Sequence, residues 1–263
     1  MDAQKGRSFF QRALFHQEVV AKAPRTVNDD VWSFNSQVSS QWDGLRHFGY
    51  QNEKLFYGGV TQKDIHGVNE KGEKSDVLGI HAWAQKGIVG RGILIDYHSW
   101  RMAQTDIKPY DSFDSVSIPL EDLQTCLKAQ DTEVKFGDIL FIRSGFMANL
   151  STKTANELWD HHDNVPHPFG GVEQSEDMLR WIWENFSAVA GDQPSFECWP
   201  SRKDWALHEV LLAGWGCPIG ELFDLETLAD ECKKQGRWSF FLCSEPCNVT
   251  GGVASPPNAI AIM

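Results

Sequence analysis

Short apolar runs bounded by glycine or charge punctuate the chain at 31–36 (VWSFNS), 91–97 (RGILIDY), 138–144 (DILFIRS), 187–192 (SAVAGD), 239–244 (SFFLCS) and 258–263 (NAIAIM). Runs of this length, rich in β-branched and aromatic residues, predict strands. Between them the apolar spacing changes to the helical period. One segment, opened by Pro119, gathers Leu123, Cys126 and Leu127 on one face, and another, from Ser175 to Phe186, gathers Met178, Trp181 and Ile182. Ser201 and Asp204 read as a capping box for a third helix, which carries Trp205, His208, Leu211 and Leu212 and stops at Gly214 or Gly216. Strands and helices mix without strict alternation, which predicts an α/β fold with a mixed central sheet flanked by helices. No internal repeat, low-complexity tract or linker divides the chain, so residues 1–263 are expected to form one domain.

Composition narrows the class. Of 263 residues 41% are hydrophobic and 23% charged, near globular averages, which excludes disorder, collagen-like sequence and coiled coil as the main state. Acidic residues number 36 against 24 basic ones, and the resulting charge of −12 repels nucleic-acid phosphates and anionic membranes alike. No apolar stretch approaches the roughly 18 residues of a membrane span, and the N-terminal segment lacks the apolar core of a signal peptide. A cytoplasmic location is therefore expected, with a small-molecule substrate as partner and neither nucleic acid nor membrane. The six cysteines contain no CxxC pair and read as reduced thiols, and the sequons at Asn149, Asn185 and Asn248 would matter only in a secreted protein.

Candidate chemistry concentrates in two places. Gln37, Ser39, Gln41 and Asp43 share one face of an extended chain, and the turn at Gly44 can fold His47 back toward them. His208 stands on a helix, and Glu221 follows the glycine-rich return from Gly214 to Gly220. A satisfied polar core is the plain alternative for either cluster alone. Trp42, Phe48, Tyr50 and Trp83 are candidate walls of a pocket for a flat ligand, against simple core packing. His161, His162 and Asp163, with Asn164 and His167, read as a turn-rich loop, and His66 and His81 as rim or surface residues. No activating pattern surrounds Cys198 or Cys217. Serine-hydrolase elbow and phosphate-loop motifs are missing, and Gly90-Arg91-Gly92 does not follow a strand as a dinucleotide fingerprint does.

The register Gln37, Gln41, Asp43, His47 resembles the signature His-x-Gly-Thr-His-x-Asp-x-Pro-x-His of the cyclase-like metal-dependent amidohydrolases, the family of kynurenine formamidase. The resemblance continues in family order through 90–97, 137–145, 190–193, 208–221 and 251–262. It implies a swivelling β/β/α domain, assembly as a homodimer or homotetramer, and a divalent metal held by Gln37, Gln41, Asp43, His208 and Glu221. His47 would be the catalytic acid or base, working beside Asp43. This chain departs from the pattern in three ways. The N-terminal lead before the signature is short, and the segment from His208 to Glu221 is one residue longer, near Trp215 and Gly216. Both early signature histidines are glutamines, and an amide oxygen is a harder, weaker ligand that favours Mn²⁺ or Mg²⁺ over Zn²⁺.

The leading expectation is thus a hydrolase or cyclase acting on a C–N or C–O acyl bond, an amide, lactam or lactone of an aromatic small molecule. It is metal-assisted, with His47 as acid/base. Two alternatives stay open: a metal-independent isomerase, dehydratase or cyclase using the same pocket, and a catalytically inert small-molecule-binding homologue.

Overall fold

The computed structural model of the chain describes residues 8–105, 110–163 and 165–263. In chain order its strands are β1 (His16–Ala21), β2 (Asn28–Ser33), β3 (Gln41–Asp43), β4 (Ile88–Ile95), β5 (Ser117–Ile118), β6 (Asp138–Ile142), β7 (Gly171–Val172), β8 (Phe186–Gly191), β9 (Ile219–Glu221), β10 (Ser239–Ser244), β11 (Ala254–Ser255) and β12 (Ala259–Ile262). An eight-stranded mixed sheet takes the order β11-β3-β9-β8-β6-β4-β10-β12. Its centre, β4, β6, β8 and β9, is parallel, while β3 and β11 at one end and β10 and β12 at the other run antiparallel to their neighbours.

The sequence accounts for this layout. β6 is apolar almost throughout and buried at every position, as a parallel strand covered on both faces must be. β10 alternates, with Phe240, Leu242 and Ser244 buried and Phe241 and Cys243 exposed, the pattern of an outer strand with one wet face. Helices Leu120–Ala129 and Glu176–Asn185 cover one face, burying Leu123, Cys126, Met178 and Ile182 against Ile93, Leu140 and Val189. Helix Glu226–Gln235 covers the other, where Ala229 and Cys232 pack with Trp42, Phe141 and Phe240. This is the expected α/β fold with a mixed central sheet flanked by helices. All six cysteines are unpaired thiols, four of them buried. Among the described residues no helix is long and apolar enough to cross a membrane.

Local readings that differ share one cause: tertiary contacts override local signals. The run at 31–36 is strand only through Ser33; β2 begins earlier, at Asn28, and pairs with β1 in an exposed hairpin outside the central sheet, because Asp29 and Asp30 leave it no apolar face to bury. Ser201 does not cap a helix, since its hydroxyl donates to the carbonyls of Lys203 and Trp205. The helix begins near Leu207 instead, and the Glu209 carboxylate accepts the Ala206 amide at 3.1 Å. From Glu209 to Trp215 it is wound as a π-helix and ends at Gly216 in the left-handed region. A π turn holds one residue more than an α turn, which is how a helix absorbs an insertion. His161, His162 and Asp163 form the last turn of helix Ala155–Asp163, and Asn164 lies outside the described residues.

A buried carboxylate fixes the corner beside the site. Asp192, fully buried just after β8, accepts the amides of Ser144, Gly145 and Met147 and the Ser144 hydroxyl. It thereby ties the end of β6 to the end of β8. Asp192→Ala would leave those donors unpaired, and the expected loss of unfolding free energy in urea titration is about 3 kcal/mol or more. A loss below 1 kcal/mol would contradict this role.

Candidate active site

Strand geometry builds the centre of the site. Gln41 and Asp43 are alternate residues of β3 and share a face, while Trp42 points to the opposite one. β3 pairs with β9 in a register that sets Gln41 directly across from Glu221, and the Gln41 Nε2 donates to Glu221 Oε2 at 2.9 Å. Gly44 starts the turn, its carbonyl accepts the His47 amide at 2.9 Å, and the His47 ring folds back to lie with Nε2 3.9 Å from Asp43 Oδ2. Glu221 ends β9, whose parallel neighbour β8 leads into residues 192–197, so the site occupies the carboxyl edge of the parallel strands.

His208, at the start of its helix, completes the cluster. Its Nε2 stands 3.1 Å from Glu221 Oε1 and 3.7 Å from Asp43 Oδ2, and its Nδ1 pairs with Glu197 Oε2 at 2.6 Å. Glu197 is held by a bridge to Val172 and by a backbone approach that only glycine allows. A Cβ on Gly171 would lie 2.4 Å from the Glu197 carbonyl carbon. Ligand atoms of Asp43, His47 and His208 all lie within 4.8 Å of one another.

Asp43 is the unusual member. It has no solvent exposure, and neither carboxylate oxygen has a hydrogen-bond partner; Gln41 Oε1 is likewise buried and unpartnered. Burial works against its charge, but the neighbouring His47 and His208 hold its carboxyl below the usual carboxylate range. Burial also acts to lower His208, and the charge of Glu197, with the close approach of Glu197, Glu221 and Asp43 to its ring nitrogens, outweighs it and raises this imidazole well above its ordinary value. Burial and the Asp43 charge push the Glu221 carboxyl up, against the pull of His208.

A relay of amides fixes the His47 ring. Glu221 accepts from the Gln41 NH₂ group, whose second hydrogen goes to Gln37 Oε1 at 2.6 Å. That leaves the Gln37 NH₂ to donate to His47 Nδ1 at 3.0 Å, so the ring proton sits on Nε2, facing the cluster. Burial lowers the His47 pKa below its ordinary value despite the nearby Asp43, which keeps the ring neutral.

A cavity of about 190 Å³ opens on this cluster, lined by Phe10, Arg12, Phe48, Trp199 and the site residues His47, Glu197, His208 and Glu221. A larger one, about 350 Å³, lies by helix Glu226–Gln235 and is lined by no histidine.

Residues 8–198 match the family described as putative cyclase. The chain belongs to the putative cyclase family. No curated protein sequence matches it. Among solved structures it is similar to the crystal structure of a novel cyclase, with 28% identity and a TM-score of 0.82 over 99% of this chain and 85% of that one. It is similar in fold to isatin hydrolase A from Ralstonia solanacearum, with 10% identity and a TM-score of 0.62 over 97% and 84% of the two chains. The fold also matches isatin hydrolase A from Labrenzia aggregata bound to benzyl benzoate, at 12% identity and a TM-score of 0.61 over 96% and 84%.

In this cyclase-family chain the residues expected from sequence do not all converge. Gln37, Gln41, Asp43, His47, His208 and Glu221 do, although Gln37 lies in the turn before β3 and reaches the cluster through hydrogen bonds. The Gln37 oxygen, expected to face a metal, accepts from Gln41 at 2.6 Å. Trp42 is corrected: the two-residue period of β3 buries it in the opposite core against Phe223, with its Nε1 donating to Ser244. Trp83 packs against that same core, and the Tyr50 hydroxyl lies against Gly214, so of the four aromatic candidates Phe48 alone lines the cavity. Sequence reading missed Phe10, Arg12, Glu197 and Trp199. Glu197 sits four residues beyond the matched segment 190–193, a position no spacing singles out.

The relay makes a direct prediction. In metal-free protein the His47 ring should show ¹⁵N shifts of the Nε2–H tautomer and remain neutral as pH falls below the ordinary histidine range. Protonation near pH 6.5, the unperturbed value, would contradict the relay.

Proposed function

We propose that this protein is a metal-assisted hydrolase or cyclase that opens or closes a C–N or C–O acyl bond in a small aromatic compound. The observation that carries the reading is Asp43, a carboxylate fully buried with both oxygens unpartnered, beside the orphaned Gln41 Oε1 and two imidazole Nε2 atoms. Buried polar atoms are nearly always satisfied, and a carboxylate with none of its bonds made fits a cation. Asp43, His208 Nε2 and Gln41 Oε1 would hold the ion. Glu197 would fix the His208 ring through Nδ1, as carboxylates behind metal-binding histidines do. The mixed oxygen and nitrogen donor set leans toward Mn²⁺ or Mg²⁺ more than Zn²⁺. A divalent ion held there would supply Lewis-acid polarisation of the acyl oxygen and a water of lowered pKa.

The chain's own groups supply the rest. The cavity is smaller than the roughly 300–1,000 Å³ of sites for drug-sized ligands, so it suits a compact substrate with one or two rings between Phe48 and Trp199. Glu221, a carboxylate made more basic by burial, takes the proton of the attacking water. His47 presents its Nε2–H where charge develops on the acyl or leaving group, as a neutral imidazole donor. The relay therefore favours the donor half of the expected acid/base role and leaves the base to Glu221. The fold shared with isatin hydrolases, whose name denotes hydrolysis of an aromatic lactam, is consistent with this substrate class.

His47→Ala should lower kcat about 10²–10³-fold on a panel of aryl amides, lactams and lactones, with metal content unchanged. Turnover near wild type would remove His47 from the chemistry. Glu197→Gln should weaken binding of Mn²⁺ alone by about 10–100-fold in titration calorimetry. Equal affinity would take His208 out of the ligand set.

A further inference from the structure

Among the described residues, Arg12 is the one charged side chain lining the cavity that the scheme above leaves without a task. It enters from the N-terminal segment, where Phe10 and Gln11 both adopt positive φ, 58° and 56°. Left-handed backbone at a bulky residue is strained, and such strain clusters where a segment must place a side chain. Here it brings the Phe10 ring and the Arg12 side chain to the same cavity as His47 and Glu221, with the guanidinium 4.9 Å from the Phe10 ring centroid. Contacts of the Arg12 backbone hold the segment: the Ser8 hydroxyl donates to its carbonyl, and the next residue, Ala13, accepts the Asn35 amide at 3.1 Å.

The guanidinium itself is half-buried and underused. It donates one hydrogen bond, from Nη1 to the Gln37 carbonyl at 2.6 Å, and forms no ion pair among the described residues. Asp43 and Glu221 attract it only at longer range, while burial opposes its charge. A guanidinium carries five N–H donors in a planar fork that matches a carboxylate, and a partly desolvated one gains most from such a partner. A neutralising role toward the acidic cluster would have been met by direct pairing, which the structure does not show. The walls beside it, Phe10, Phe48 and Trp199, are aromatic.

We propose that Arg12 is a specificity-determining residue that binds a carboxylate carried by the substrate or product, so the site takes small aromatic carboxylates in preference to their neutral analogues. This rests on the acyl-transfer reading in placing the ligand in this cavity, but its test reads binding and not turnover.

The experiment is titration calorimetry of the full chain, as purified and with metal content recorded, using benzoate and benzamide as probes. Wild type should bind benzoate about tenfold or more tightly than benzamide, the size of one charge-assisted fork. Arg12→Gln should bring the ratio close to one while leaving benzamide affinity within about twofold. Arg12→Lys, which keeps the charge and most of the stem, should retain a reduced preference, and it decides the matter if the glutamine variant does not fold. Equal binding of the two probes by wild type would overturn the proposal. So would an undiminished benzoate preference in either variant, which would place the carboxylate elsewhere, for instance on the metal. Metal content and His47 kinetics test the reaction scheme separately, so failure of one leaves the other standing.

Discussion

The architecture of this site turns on one buried charge. Asp43 lies at zero exposure in a three-residue strand, with no amide or hydroxyl donating to it. An ionised carboxylate taken out of water carries a desolvation cost of several kcal/mol unless compensating charge is close. Around it stand two imidazoles, an orphaned amide oxygen and a second carboxylate, and each is anchored from behind: His208 by Glu197, His47 by Gln37, Glu221 by the Phe196 amide and Gln41. Apolar packing alone would not favour this arrangement. It suits the cation proposed above, with the candidate ligands already oriented by their neighbours.

The two glutamines, Gln37 and Gln41, set more than ligand strength. An amide has a donor end and an acceptor end, so two in series transmit direction. Because Glu221 can only accept while ionised, every amide between it and His47 is fixed in orientation, and the histidine tautomer is decided by a carboxylate on another strand. Two histidines at the same positions would offer metal lone pairs and would impose no such order. The cluster thus combines few nitrogen donors with a histidine set as a hydrogen-bond donor.

Rigid surroundings make the geometry possible. Asp192 ties the ends of β6 and β8 together, the parallel strands present their carboxyl edge to the cavity, and the π-helix after His208 ends at Gly216 ahead of β9. The aromatic load is divided between the two sheet faces and the cavity. Trp42 and Phe223 serve a core, while Phe48 and Trp199 serve the cavity.

Much of this was legible in the chain. Apolar runs located β4, β6, β8, β10 and β12, the helical period located helices Leu120–Ala129 and Glu176–Asn185 though not Glu226–Gln235, and two local polar clusters, joined by the family resemblance, named Gln37, Gln41, Asp43, His47, His208 and Glu221. Those signals are local, or repeat at fixed intervals, and survive in one dimension. What needed the folded chain was everything set by neighbours distant in sequence. Trp42 was misplaced because alternation says that two faces exist without saying which one holds the site. Glu197 and Arg12 were invisible because their roles come from a close approach at Gly171 and a strained entry at Phe10, and neither leaves a spacing to read. Spacing could name a donor set, but the direction of each hydrogen bond, and with it the state of His47, follows from partners that only three-dimensional packing brings within reach.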